Sequence, residues 1–313
     1  MNEDAVLGPV LHVGDGVVRT GTCSWTDRTL VKESDWYPRR TMTAAERLRY
    51  YAAHFPLVEV DSTYYAPPSE RTASLWASRS PDGFEFDVKA YSLLTGHPTR
   101  RGSLWEDLRE GILPEHRDKE RIYATHLEPQ ALDEAWRRFT SALTPLREAG
   151  RLSALLFQYP PWFHPRKDTR QELERLPERL DGLQAMIEFR SPRWTSTPRD
   201  RERTFSLLES LGLAYVCVDA PPASELPRLL AITHEPAVLR CHGRSDEAWT
   251  QTSGTAAERF KYLYDDRELN ELADGARELA ARASQTHVLM NNCYRDYAVQ
   301  NAARLIELIG SGG

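Results

Sequence analysis

The sequence contains no CxxC pair. Its four cysteines, Cys23, Cys217, Cys241 and Cys293, lie far apart in 313 residues, a spacing that forms neither a zinc ribbon nor a dithiol motif and is expected of reduced thiols. No run approaches the roughly 18 to 20 apolar residues a membrane-spanning helix needs, so no membrane association is expected. The opening stretch, MNEDAVLGPVLHVGDG, is acidic and lacks the basic region and long apolar core of a secretory signal, which leads us to expect a cytoplasmic location. Neither a G-x-G-x-x-G nor a Walker-type loop occurs, so a nucleotide cofactor is not indicated. No G-x-S-x-G elbow exposes a nucleophilic serine. Positive charge is not in excess either. The net charge of -6 argues against a general nucleic-acid-binding surface, which needs clustered Lys and Arg to neutralise phosphates.

What the chain does have is a rhythm. Hydrophobic residues make up 41% of it, enough for a sizeable core, and short runs rich in Val, Ile, Phe, Tyr and Leu recur at 17–25, 57–65, 84–91, 152–160, 184–191, 214–221, 237–243 and 286–292. Between them lie segments with apolar residues at three- and four-residue steps, such as RERTFSLLESLGL and DDRELNELADGARELAARA, which predict helices with one buried face. Thr43 suits an N-cap and Gly150 a C-terminal stop. The segment PPASELPRLLAITHEP is too proline-rich for a full crossover helix. Eight strands alternating with helices predict a single-domain α/β fold, a TIM (β/α)8-type barrel over residues 17–313, behind an N-terminal extension of residues 1–16. One long excursion follows the third strand. Residues 97–130 are charged and weakly patterned, read as a loop with short helices in the place of a lid.

Strand side chains alternate between faces, so the phase of each strand can be read once its apolar face is set against the helices. In LVEVDSTYY, Val58 and Val60 then point outward and Glu59 and Asp61 into the barrel. The same rule turns Asp87 and Lys89, Glu188 and Arg190, Cys217 and Asp219, and Arg240 and His242 inward, with Asn292 on the last strand. His242 is the one histidine that this phasing sends inside. A barrel needing only stability would more often be filled with Val, Ile and Leu. Buried ion pairs seldom stabilise more than apolar packing of equal volume, so the polar lumen is read as a functional site, with a structural ion-pair network as the alternative.

Seven segments carry a family resemblance: GTCSW at 21–25, VEVDSTYY at 58–65 followed by Pro67, FDVKA at 86–90, LLFQYPPWF at 155–163, IEFRSPRW at 187–194, LRCHGR at 239–244 and NNCYRDYAVQNAARL at 291–305. In this order they resemble the YecE-like family, otherwise domain of unknown function 72, over nearly the whole chain. The resemblance implies a TIM-type barrel with a deep polar pocket and no established activity. Glu59, Lys89, Gln158, Glu188, Arg190, Arg240, His242 and Asn292 fit its pattern, whereas Cys23, Asp61 and Cys293 depart from the residues more usual there.

The residue types constrain the ligand. Lys89, Arg190 and Arg240 suit a carboxylate, a phosphate or a polyhydroxylated anion, and Gln158 and Asn292 add amide donors and acceptors. Trp25 and Tyr64 belong to a set of aromatics at strand ends, with Tyr65, Tyr91, Tyr159, Trp162, Trp194 and Tyr294, expected to ring the mouth where sugars or bases stack. Glu59 and Glu188 are the expected acid and base, with Asp219 and His242 completing the catalytic set. The expectation is a hydrolase or isomerase acting on a small sugar-like or sugar-phosphate-like substrate, without a cofactor. Two alternatives stand. A metal-dependent phosphoesterase or nuclease resembling endonuclease IV would hold Mn, Mg or Zn on Glu59, Asp61, Glu188, Asp219 and His242 and bind nucleic acid through Arg100, Arg101 and Arg117. A non-catalytic ligand-binding protein would use the same lumen without turnover.

Overall fold

The computed structural model describes residues 6–250, 258 and 260–311. The outermost positions of the predicted extension and barrel domain, 1–5 and 312–313, lie outside the described residues. Eight parallel strands close on themselves: β2 (Gly16–Thr22), β3 (Leu57–Val60), β4 (Glu85–Lys89), β7 (Leu152–Tyr159), β8 (Ala185–Phe189), β9 (Ala214–Asp219), β10 (Ala237–Cys241) and β11 (Gln285–Met290), with β11 returning to pair with β2. A short strand β1 (Leu11–Val13) forms an antiparallel hairpin on the first half of β2. The fold is the expected TIM-type α/β barrel.

Closure depends on one close approach. Gly21 of β2 faces Leu57 of β3, and a Cβ at Gly21 would lie 2.0 Å from the Leu57 carbonyl oxygen. Only glycine allows the two strands to meet there.

The crossovers follow the helical segments of the sequence. Helices α1 (Arg28–Glu33) and α2 (Ala44–Ala52) link β2 to β3, and α3 (Glu70–Arg79) links β3 to β4. Thr43 caps α2 through the Glu46 amide, and Glu46 returns the bond to the Thr43 amide at 2.7 Å, a reciprocal capping box. Helices α4 (Pro129–Ser141) and α5 (Thr144–Glu148) precede β7, α6 (Lys167–Glu174) and α7 (Leu176–Leu180) precede β8, and α8 (Pro198–Leu211) precedes β9. Between β9 and β10 the described chain makes only one 3-10 turn, Pro222–Ser224, as the prolines of that segment require. Helices α9 (Asp246–Thr250) and α10 (Asp266–Ala280) lead to β11, and α11 (Tyr297–Ser311) follows it.

The excursion at 97–130 is folded onto the barrel. It holds a two-stranded ribbon, β5 (Thr99–Arg100) with β6 (Arg121–Ile122), and four 3-10 turns. Its Leu104, Leu108, Ile112, Ile122 and Leu127 are buried in the same core that the helices share with the outer face of the barrel.

That outer core takes Val58, Val60, Phe86, Val88, Ile187, Leu239 and Cys241, in the phase read from the sequence, together with Phe157 of β7. The lumen holds a second apolar cluster, including Leu57, Leu156, Met186, Val216, Val218, Val238 and Leu289. This corrects two strand phases. On β9, Val216 and Val218 point inward, and Cys217 packs outward with its thiol on the Ala231 carbonyl. On β11, Leu289 points inward and Met290 outward. Both strands are buried on both faces, so each carries apolar residues in both phases and alternation loses its information.

Candidate functional site

Arg240 organises the lumen. Its side chain is 1% exposed and crosses the barrel from β10 to β3 and β8. Nε donates to Glu59 Oε2 at 2.7 Å and Nη2 to Glu59 Oε1 at 2.7 Å, while Nη1 donates to Glu188 Oε2 at 2.8 Å. The guanidinium thus binds one carboxylate with two parallel bonds and a second with its remaining nitrogen. Arg190 pairs with the other oxygen of Glu188 through Nε, and Gln158 Oε1 accepts from Arg190 and Arg240, each at 3.3 Å. Burial opposes the charge on Glu188, yet Arg190, Arg240 and the hydrogen bond from His242 hold its carboxyl well below the usual range.

His242 sits between these groups as a neutral imidazole. Burial, with the nearby Arg190 guanidinium, pushes it down to about 3. Its Nε2 lies 3.3 Å from Glu188 Oε1, and the Asn291 amide nitrogen lies 2.7 Å from Nδ1. A donating Nε2–H and an accepting Nδ1 satisfy both neighbours. Trp249 of α9 stands edge-on to His242 and carries the Arg190 guanidinium over its ring at 4.9 Å.

Lys89 and Asp61 lie at the upper ends of β4 and β3. Lys89 Nζ donates to Gln158 Oε1 at 3.1 Å and stands 4.8 Å from the Tyr64 ring centroid. Burial and the Arg240 charge draw its ammonium below the ordinary lysine value. Burial lifts the Asp61 carboxyl to about 7, against the pull of Lys89 and with a push from Glu59. Across Glu59, Glu188, Arg190, Arg240 and Lys89, three basic groups face two carboxylates, a formal excess of one positive charge that holds while Lys89 and the neighbouring Asp61 both keep their protons. Cys23 donates its thiol to Glu59 Oε2 at 3.4 Å. Burial and the Glu59 charge push that thiol up, so it stays protonated.

Beside Tyr64 opens a cleft of about 920 Å³, lined by Tyr64, Tyr65, His97, Arg100, Arg121 and Trp162, among others. The charged residues of the lumen do not line it, and Lys89 adjoins it through the Tyr64 ring. His97 touches the edges of Tyr64 and Trp162 and bonds Thr95 Oγ1 through Nδ1 at 2.9 Å. Burial and the Lys89 and Arg190 charges push it down to about 4, making it a second neutral imidazole beside the cationic floor.

The structure brings together Glu59, Lys89, Gln158, Glu188, Arg190, Arg240, His242 and Tyr64. Three expected members lie elsewhere. Asp219 falls on the outer face of β9, where it accepts from Tyr264 Oη at 2.7 Å, Arg244 Nη2 at 3.0 Å and Arg228 Nε at 3.1 Å. Asn292 donates to the Tyr262 carbonyl and to Asn301 Oδ1 of α11, each at 2.8 Å, and so ties the barrel to its outer helix. Its neighbour Asn291 is the inward residue. Trp25 packs edge-on against Trp76 of α3 and against Phe86, in the helix layer.

Of the other expected rim aromatics, Tyr65 and Trp162 line the cleft, while Tyr91, Tyr159 and Trp194 are buried in the outer core. His97, Asn291 and Trp249 were missed. His97 opens the excursion, and its place directly after a strand was the available signal.

A second polar cluster lies nearer the strands' N-terminal ends. His287 points inward, contrary to the phasing that left His242 alone inside. Its Nδ1 meets Asp87 Oδ2 at 2.9 Å and its Nε2 meets Glu85 Oε2 at 3.3 Å, while Arg19 Nε meets Glu85 Oε1 at 3.0 Å. Burial works against the imidazolium, but the two carboxylates hold it up to about 9.

The family model for the protein of unknown function DUF72 matches residues 19–312. The chain belongs to the DUF72 family. Among its relatives, the UPF0759 protein YunF of Bacillus subtilis (strain 168) is 29% identical over 299 residues, covering 94% of this chain and 95% of that protein. The solved structure of the DUF72 protein TM1631 from Thermotoga maritima MSB8 is 28% identical, with a TM-score of 0.70, over 93% of this chain and 98% of that one. The DUF72 protein EF0366 from Enterococcus faecalis V583 has the same fold at 24% identity, with a TM-score of 0.73 over 93% and 95% of the two chains. No helix among the described residues is long and apolar enough to cross a membrane.

Proposed function

We propose that this DUF72 barrel is a metal-independent hydrolase or isomerase acting on a small anionic, sugar-like or sugar-phosphate-like substrate. The observation that carries the reading is the formal excess of positive charge in the lumen, joined through the Lys89–Tyr64 contact to a cleft walled by Tyr64, His97 and Trp162. An anion passing the Tyr64 side of that cleft would meet the partly exposed Lys89 first and Arg190 deeper in the lumen, where charge-assisted bonds are strong, and the aromatic walls suit the apolar face of a sugar ring.

The geometry favours a division of labour different from the one expected of Glu59 and Glu188. Arg240 binds both, and Glu188 is held too far below the usual range to be an effective base. They act better as the frame that aims Arg190 and Arg240. Carboxylate acid/base work falls to Asp61, whose carboxyl at about 7 can both donate and accept a proton near neutrality. The metal-dependent phosphoesterase reading needs several ligands to converge, and among the described residues no group of three or more His, Cys, Asp and Glu side chains does so. One observation favours a non-catalytic binding protein instead: both glutamates are already engaged by arginine, as in a structural network.

Thermal unfolding with inorganic phosphate and with a panel of sugar phosphates tests the anion site. The wild type should be stabilised and Arg190→Met should not; no stabilisation of the wild type sinks the reading. For any member of the panel that is turned over, Asp61→Asn should cost about 100-fold or more in kcat while the ligand-induced stabilisation persists. Elemental analysis of the untagged protein, with and without chelation, checks the metal alternative. A stoichiometric metal whose removal lowers Tm would replace the carboxylate mechanism.

A further inference from the structure

The chain contains five lysines among 40 lysine and arginine residues. Four of them, Lys32, Lys119, Lys167 and Lys261, are exposed on the surface, and Lys89 alone lies inside the barrel. Every other inward cation of the lumen is an arginine or a histidine. An arginine would serve a purely electrostatic purpose at least as well, since it is always charged and binds planar oxygens with two bonds. A lysine differs in one respect that matters here: it can lose its proton and present a lone pair.

The surroundings of Lys89 suit that use. Its one side-chain hydrogen bond is to the neutral Gln158 amide, its other neighbour is the face of the Tyr64 ring, and no carboxylate stands within ion-pair distance among the described residues. Arg240 and Arg190 both disfavour its charge, together with burial, while Glu59 and Glu188 oppose them. Desolvation beside a fixed cation is a general way to make a lysine nucleophilic. Asp61 lies near enough to be charge-coupled to it.

We propose that Lys89 is a covalent nucleophile that condenses with the carbonyl group of a small anionic aldehyde or ketone. This rests on the anion-binding reading above and narrows its substrate class. The neutral Nζ adds its lone pair to the carbonyl carbon, and the C=O π electrons move to oxygen, which takes a proton from Asp61. Asp61 takes back a proton from the now cationic nitrogen, giving the neutral carbinolamine, and passes it to the hydroxyl, which leaves as water while the nitrogen lone pair closes the C=N bond. The iminium returns its remaining N–H proton to Asp61, restoring its acid form. Amine and carbonyl thus become imine and water, with no oxidant or reductant. Protonation of the imine makes the adjacent C–H bond acidic, which is the chemistry an isomerase of a carbonyl sugar requires. Arg190 remains free of the covalent step and holds the anionic end.

The test uses formaldehyde, the smallest aldehyde, with cyanoborohydride, which reduces each imine to a stable methylamine. The full chain is labelled at pH 7 and each lysine followed by peptide mass spectrometry. Lys89 should be methylated at least about 10-fold faster than Lys32, Lys119, Lys167 and Lys261, as expected of an amine with a larger neutral fraction. Methylation of Lys89 no faster than that of the surface lysines overturns the proposal. Phosphate-induced stabilisation is measured on the same samples and on Lys89→Arg, which keeps the charge. An unreactive Lys89 with intact phosphate stabilisation sinks the nucleophile and leaves the anion site standing. A reactive Lys89 without phosphate stabilisation upholds the nucleophile and fails the anion reading instead.

Discussion

The barrel interior holds two polar clusters that differ in one respect, and the difference separates structure from candidate chemistry. Near the N-terminal ends of the strands, Arg19 and His287 face Glu85 and Asp87, and the charges balance. Near the C-terminal ends, Glu59 and Glu188 face Arg190, Arg240 and Lys89, and one positive charge remains. The first cluster has no formal charge left over for a ligand. The second keeps a cation outside any ion pair, two neutral imidazoles and a carboxyl poised near neutrality, and it adjoins an open cleft through Tyr64 and His97.

The largest effect should come from breaking the upper cluster at its centre. Arg240→Met leaves two buried carboxylates without their shared partner, and about 3–5 kcal/mol of stability should be lost in urea unfolding. Lys89→Met should cost far less, because no carboxylate forms a direct ion pair with Lys89 among the described residues. An equal loss for both would erase the distinction between framework and free cation.

The lower cluster should reveal itself through pH. The His287 imidazole is held up to about 9, against an ordinary value near 6.5. Its contribution is therefore complete below about pH 6.5 and is lost as pH rises through about 9, amounting to about 3 kcal/mol at most. The stability difference between wild type and His287→Gln should shrink across that window. A difference that stays constant from pH 6 to pH 10 would show that His287 is not charged in the fold.

A smaller effect belongs to Asn291→Ala. It removes the amide that faces His242 Nδ1 and should cost about 1–2 kcal/mol, whereas Asn291→Asp should add a charge that draws His242 upward in an NMR titration. The smallest is Trp162→Ala at the rim, where the side chain is 52% exposed. Stability should change by no more than about 0.5 kcal/mol, and ligand-induced stabilisation should fall.

The barrel was legible in the sequence because eight apolar runs alternate with amphipathic segments, and the inward set on β3, β4, β8 and β10 was legible because polar residues there interrupt an apolar phase. Glu59, Lys89, Glu188, Arg190, Arg240 and His242 follow from that contrast. The rule failed where both phases are apolar. On β9, the run AYVCVD offers Val216 and Val218 to either face, and choosing the wrong one carried Asp219 with it. On β11, Leu289 and Met290 are equally apolar, and a slip of one residue exchanged Asn291 for Asn292 and hid His287, because the side-chain period of a strand is two. Rim residues such as His97 and Trp249 sit on loops and on a short helix, whose direction no strand phase determines.

Arg240 has a further consequence for how the chain reaches its fold. It meets Glu59 across 181 positions of sequence and Glu188 across 52, so the clamp joins segments made at very different times during synthesis. Contacts of such separation are slow to form, since the intervening loop must first be ordered. Until β10 arrives, Glu59 is a buried-strand acid without its guanidinium, and a nascent barrel that closed early would enclose it unpaired. The clamp therefore works as a completion check. A chain truncated before β10 is expected to remain open and protease-sensitive, and the finished barrel locks only when its seventh strand is in place.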